Sequence, residues 1–216
     1  SLIITNYNRE KYISRAISSC LNQLVNGIKV ETLVVDDAST DSSINIIQAF
    51  LENIKLIKHA SNQGVSASSN SGIKNSKGDY IMRVDSDDFL SSYACQVMYM
   101  ILKNNPDYGF VYCDHIRVNE IGNRESLVRL DTSEKLYQHG AGILFRKEAL
   151  YSVNLYDTSI RNAEDYDLLI RLKKAKIKGF YLPVPLYRYY IHGTNMTLNN
   201  DRVQSVLNIR KKHKIK

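Results

Sequence analysis

Three short carboxylate clusters are the residues of this chain best equipped for chemistry: Asp36-Asp37 within DDASTD, Asp85-Ser86-Asp87-Asp88, and Glu164-Asp165. The Asp85–Asp88 turn gathers carboxylates in a small space. There they could hold a hard divalent cation, which would in turn bridge to phosphate oxygens. It is not an EF-hand, because no glycine or distal glutamate follows at the required spacing. Its competing use is a solvated turn whose aspartates cap a helix beginning near Ser92. In DDASTD, Asp41 and Ser39 are assigned to capping and an Asx-type turn, whereas Asp36 and Asp37 come directly off an apolar strand. Glu164 and Asp165 open a helical stretch, where acidic residues usually answer the helix dipole for ~0.3–1 kcal/mol. The alternative is a general base kept ionised at neutral pH. His192, near a glycine, is a weak candidate ligand when taken singly.

Position along the chain gives these clusters their weight. Leu2–Thr5, Val30–Asp36, Ile54–Lys58 and Tyr80–Val84 read as buried strands. Helical spacing fills the intervals at Lys11–Leu24, Asp41–Leu51, Val65–Ser76 and Ser92–Asn104, the last ended by Asn105–Pro106. Strands alternating with helices imply βαβ units: an α/β fold with a doubly wound, mostly parallel sheet flanked by helices.

After Pro106 the rhythm changes. Gly109–Val118 and Glu125–Leu130 read as strands joined by a turn, followed by a loop, a short strand Gly142–Phe145 and a brief helix. A helix Glu164–Lys176 and strands Gly179–Pro183 and Leu186–His192 follow. No repeat or linker interrupts the chain, so this half is expected to be a smaller mixed or antiparallel extension of the same sheet. Asp201–His213 reads as a final amphipathic helix with Val203, Val206, Leu207 and Arg210 on one stripe. Residues 1–197 are thus expected to form one domain, with halves 1–106 and 107–197, and 198–216 a basic tail.

In an open α/β sheet, ligands bind beyond the carboxyl ends of the strands. Strand one runs into Thr5-Asn6-Tyr7-Asn8, strand two into Asp36-Asp37 and strand four into Asp85–Asp88, so three strands deliver polar residues to one sheet edge. Neither GxGxxG nor GxxxxGK[ST] occurs, so a glycine-rich nest does not hold the ligand's phosphates.

Composition narrows the classes further. A 216-residue chain with 44% hydrophobic and 24% charged residues can bury one sizeable core. No apolar run approaches the ~20 residues of a membrane span. The first residues lack a basic region and turn polar at Thr5, so no signal peptide is expected. Cys20, Cys95 and Cys113 are isolated, which fits buried thiols in a reducing, cytoplasmic setting. The formal charge is +7, but Arg210, Lys211, Lys212, Lys214 and Lys216 crowd into the last seven residues. The basic character belongs to the tail rather than to a nucleic-acid-binding face. Such a tail could touch the inner face of an anionic cell membrane, or simply be solvated.

Five segments in register resemble glycosyltransferase family 2 with the GT-A fold: SLIITNYN, VVDDASTD, NQGVSASSNSGIKNSKGDYIMRVDSDD, AEDYDLLIRL and YRYYIHGTNMT. The resemblance covers about residues 1–197. It implies an inverting enzyme that moves a sugar from a nucleotide-sugar donor, UDP-linked, to a glycan or lipid-linked acceptor during cell-envelope polysaccharide synthesis. It further implies that Thr5, Tyr7 and Asp37 contact the base, that Asp85 holds the ribose or a metal's water shell, and that Asp87 ligates Mn²⁺ or Mg²⁺. Asp165 would deprotonate the acceptor with Glu164 beside it, and His192 would be an extra metal ligand or diphosphate contact. Two departures stand out. The arginine family members often carry in the segment Ser66–Asn70 is absent, leaving Lys74, Lys77 or Arg83 to meet the diphosphate. There is no tryptophan, so acceptor stacking falls to Tyr187, Tyr189 or Tyr190. The missing arginine also motivates an alternative, a non-catalytic nucleotide-sugar-binding or partner subunit of the same fold.

Overall fold

The computed structural model of the protein describes residues 1–138, 140–192 and 200–215. The end of the YRYYIHGTNMT segment (193–197) and the expected boundary at 197 fall outside them. Strand β1 (Leu2–Asn6) leads through helix α1 (Ile13–Leu21) to β2 (Thr32–Asp36), α2 (Ser43–Gln48), β3 (Lys55–Lys58), α3 (Val65–Asn75) and β4 (Tyr80–Asp85). Four parallel strands in the order β3-β2-β1-β4 form this half. The apolar runs of β1, β2 and β4 follow from burial on both faces, whereas β3, at the edge, has exposed lysines at either end. Leu2, Ile4, Val34, Met82 and Val84 pack with α1 and a later helix on one side. Ile3, Val35 and Ile81 face α3 on the other. The small residues of α3 permit close contact there: a Cβ on Gly72 would lie 2.3 Å from Ile3 Cγ2.

The second half continues with β5 (Phe89–Leu90), α4 (Ala94–Asn104), β6 (Tyr108–Val118), β7 (Arg124–Val128) and α5 (Ser133–Gln138). Then come β8 (Ile143–Arg146), α6 (Lys147–Ser152), α7 (Glu164–Lys174), β9 (Lys178–Tyr190) and α8 (Asn200–His213). β8 runs antiparallel between β4 and β6, β6 pairs parallel with β9, and β7 and β5 add antiparallel edges. Among the described residues the nine strands therefore form one mixed sheet, parallel at one end, with helices on both faces.

Several expectations change at this level. Gly179–Pro183 and Leu186–His192 are one strand, β9, whose register with β6 shifts around Asp114, where Pro185 interrupts the ladder. β5 is too short to produce a periodic signal, and α5 lies in the stretch expected to be a loop. In α8 the buried residue is Ile209, packed with Ala163, Ile170 and Val206, whereas Val203 and Leu207 of the expected stripe are exposed. Lys212 pairs with Asp157 at 2.7 Å and His213 with Asp167 at 2.7 Å, so this basic end is docked on the body rather than simply solvated.

Candidate functional site

The carboxyl ends of β1, β2 and β4 open into a cavity of about 570 Å³, walled on its far side by the segment entering α7. Thr5, Tyr7, Asp37, Asp85, Asp87, Glu164 and Asp165 all line it. Seven of the eight residues to which the resemblance assigns a place at the nucleotide, the metal or the acceptor's proton thus meet in one space. The eighth, His192, lies behind Asp87, its Nε2 2.9 Å from Asp87 Oδ2 and its ring stacked on Tyr12.

Each wall has a local cause. Asp36 is buried and organises the loop after β2: its carboxylate accepts from Asn6 Nδ2 at 2.8 Å and from Ser39 Oγ at 2.6 Å. Asp41 caps the start of α2 by accepting from Ser43 N–H at 2.9 Å. The Asp37 carboxylate accepts from Gln63 N–H at 2.9 Å and Gly64 N–H at 2.7 Å, and pairs with His59 Nδ1 at 2.7 Å. Gly64, at φ 88, is a conformation only glycine adopts without strain, and it launches α3 from there. Ala163, a non-glycine residue in the left-handed region, lines the same cavity, and Asn8 and Ala38, also left-handed, follow the lining residues Tyr7 and Asp37 in sequence. Tyr7 is 45% exposed, an aromatic face open to a stacking partner.

The floor is an ion network around Arg83, on β4. Its guanidinium donates to Glu164 Oε1 and to Asp165 Oδ2, each at 2.7 Å, with its Nε 3.5 Å from Asp85 Oδ1. Burial raises the Asp165 carboxyl, Arg83 opposes that, and Glu164 and Asp85 reinforce it; the group is pushed up to about 7. Burial likewise lifts Asp85 above the usual carboxylate range despite Arg83. Burial would raise Asp87 too, but the His192 hydrogen bond and Arg9, 3.4 Å away, outweigh it and hold Asp87 low. Asp88 points elsewhere: fully buried, it accepts from Tyr190 N–H at 2.9 Å and ties the β4–β5 turn to β9. Neither it nor its neighbours cap the following helix.

Sequence reasoning overlooked four residues here. Gly140 lies so close to the base candidate that a Cβ on it would sit 2.0 Å from Asp165 Oδ2. Arg9, Arg161 and Arg202 add cations to the wall. None carries a motif; only the fold brings them in. Of the cations expected at the diphosphate, Lys74 and Lys77 do not line the cavity, and Arg83 does but is committed to carboxylates. Of the three tyrosines offered in place of tryptophan, Tyr187 is fully buried and Tyr190 packs against Tyr12. Tyr189 alone of the three lines the cavity.

The family model "Glycosyl transferase family 2" matches residues 1–154. Chondroitin synthase from Escherichia coli is 28% identical over 94% of this chain, which spans 30% of that synthase. Among solved structures, Staphylococcus aureus TarS 1-349 in complex with UDP-GlcNAc superimposes with a TM-score of 0.80 at 21% identity. The match covers 98% of this chain and 65% of that one. Mannosyltransferase PcManGT from Pyrobaculum calidifontis, in complex with GDP-Man and Mn²⁺, gives 0.79 at 17% identity, covering 100% and 64%. Likenesses at these identities establish the architecture, the GT-A type. With the family model matching well over half of its residues, the chain belongs to glycosyl transferase family 2.

Proposed function

We propose that this chain transfers a sugar from a nucleoside-diphosphate donor, UDP-linked, to a hydroxyl acceptor with inversion, in assembling cell-envelope polysaccharide or a lipid-linked glycan. The carrying observation is a cavity lined by an exposed tyrosine and a threonine (Tyr7, Thr5) and also by the carboxylate pair Glu164 and Asp165 at the start of α7. The UDP-GlcNAc in the TarS complex and the polymer made by the chondroitin synthase support the same donor and acceptor classes.

In this reading Tyr7 stacks on the uracil, Thr5 and Asp37 border it, and Asp85 faces the ribose. The Asp85–Asp87 turn suits Mn²⁺ or Mg²⁺. Among the described residues no three His, Cys, Asp or Glu side chains converge as a ready-made cage. A cation held by one or two carboxylates and completed by phosphate and water needs no such cage. When bound, it would offset the charge gathering on the diphosphate as the anomeric bond breaks. His192, on Asp87, would be a further ligand or a diphosphate contact. The Mn²⁺ in the PcManGT complex supports a divalent ion.

Asp165 takes the acceptor's proton. A carboxyl poised near neutrality is a better base for a hydroxyl than one at an ordinary carboxylate value. Arg83 fixes its orientation, and Glu164 shares the same guanidinium. A single carboxylate serving the acceptor makes one displacement, hence inversion. Holding both substrates between Asp87 and Asp165 removes much of the entropic cost of their meeting. That poised base favours the enzyme over the non-catalytic alternative. Release of UDP from a panel of UDP-sugars with Mn²⁺ tests this: turnover by the wild type and none by Asp165→Asn is expected. Equal turnover would remove Asp165 from the role, and none by the wild type with any donor would favour a binding subunit.

A further inference from the structure

We infer that Arg161 grips the phosphate groups of the donor, reaching them from the loop that faces α3; this rests on the donor-site reading above. A nucleoside diphosphate brings several negative charges onto a wall that already carries Asp85 and Asp87, so it needs cations beyond a single metal ion. Four arginines line the cavity. Arg9 is spent on Asp87, and Arg83 on Asp85, Glu164 and Asp165. Arg202, on α8, has contacts of its own.

Arg161 differs from these. It is exposed, it lines the cavity, and no carboxylate pairs with it among the described residues. Its backbone is fixed close to the donor side. Ser66 Oγ donates to the carbonyl of Ile160 at 2.8 Å, and Asn70 is doubly bonded to the backbone of Tyr156, at 2.8 and 3.0 Å. The 156–160 segment is therefore stitched along α3, which holds residue 161 beside that helix's first turn. The α3 side of the cavity, Gly64, Val65 and Ser68, has no charge of its own, and the helix's one basic side chain, Lys74, is in its last turn. A guanidinium extended from 161 supplies what that wall lacks, with a planar fork suited to two phosphate oxygens.

Titration of wild type, Arg161→Gln and Arg161→Lys with UDP and Mn²⁺ by calorimetry, and with uridine by NMR, tests this. Arg161→Gln should weaken UDP by about tenfold or more, the scale of one lost charge-assisted contact. Uridine binding should stay within about twofold, because the nucleoside has no phosphate to lose. Arg161→Lys should recover part of the UDP loss. Unchanged UDP affinity would overturn the assignment, and if transfer alone were lost the residue would belong to the acceptor. Equal weakening of uridine would overturn it as well, by showing a collapsed pocket. Failure of the wild type itself to bind UDP would instead remove the donor site, and this inference with it.

Discussion

Arg83 Nη2 lies 2.7 Å from Asp165 Oδ2, joining strand β4 to the first turn of α7 across 82 residues of sequence. That one contact links the strand that ends in the acidic turn to the helix that bears the proposed base. The same guanidinium holds Glu164, so a single buried cation orients both carboxylates.

Replacing Arg83 by glutamine should therefore harm both fold and chemistry. Breaking a buried pair leaves an uncompensated charge, for about 3–5 kcal/mol. Urea denaturation should register that loss. At a temperature where the variant remains folded, kcat should fall by about 100-fold, the usual effect of a misplaced reacting group. Retained kcat in a folded Arg83→Gln protein would contradict the positioning role.

The pH profile follows from the sign of the Asp165 shift. Its carboxyl is raised to about 7, and a general base works only when ionised, so kcat/KM should rise with pH through about 7 and level off above it. An initial-rate series from pH 5 to 9 measures this. A profile already flat by pH 5 would show an ordinary carboxylate.

Gly140→Ala isolates geometry from charge. The added methyl would stand 2.0 Å from Asp165 Oδ2, the oxygen that accepts from Arg83, so the carboxylate must shift and loosen that contact. Transfer should drop by about tenfold to 100-fold, while UDP affinity and melting temperature change little. Wild-type kinetics in this variant would mean that the 140 loop yields instead.

Asp37→Ala tests the donor end. Two backbone N–H groups at the start of α3, those of Gln63 and Gly64, would lose their acceptor, each for about 1–3 kcal/mol if it stays buried. Chemical denaturation should show the loss, with weaker UDP binding as the α3 entrance loosens. Unaltered stability would mean that water replaces the carboxylate.

How much of this was legible beforehand depended on range. The apolar runs at Leu2–Asn6, Thr32–Asp36 and Tyr80–Asp85 are buried on both faces, so each strand announced itself, and so did the polar residues directly after it. β9 was harder: Pro183 and Pro185 mimic a break that the bulged pairing with β6 absorbs. The α8 stripe was misplaced because Ile209 finds its partners on α7, which helical spacing alone does not reveal. Arg83 is legible only as a cation for the diphosphate and not as the partner of Glu164 and Asp165, and Gly140 and Arg161 carry no signal at all, for the same reason: each acquires meaning only from a residue far off in the chain. The tail's charge was visible, but its capture by Asp157 and Asp167 was not.

The most direct measurement is calorimetric titration of the wild type and Asp87→Ala with UDP, with and without Mn²⁺. Strong binding by the wild type only when the metal is present, together with its loss in Asp87→Ala, is the predicted result. UDP binding that ignores both the metal and the substitution, or no binding at all, would contradict a metal-assisted donor site at the carboxyl ends of these strands.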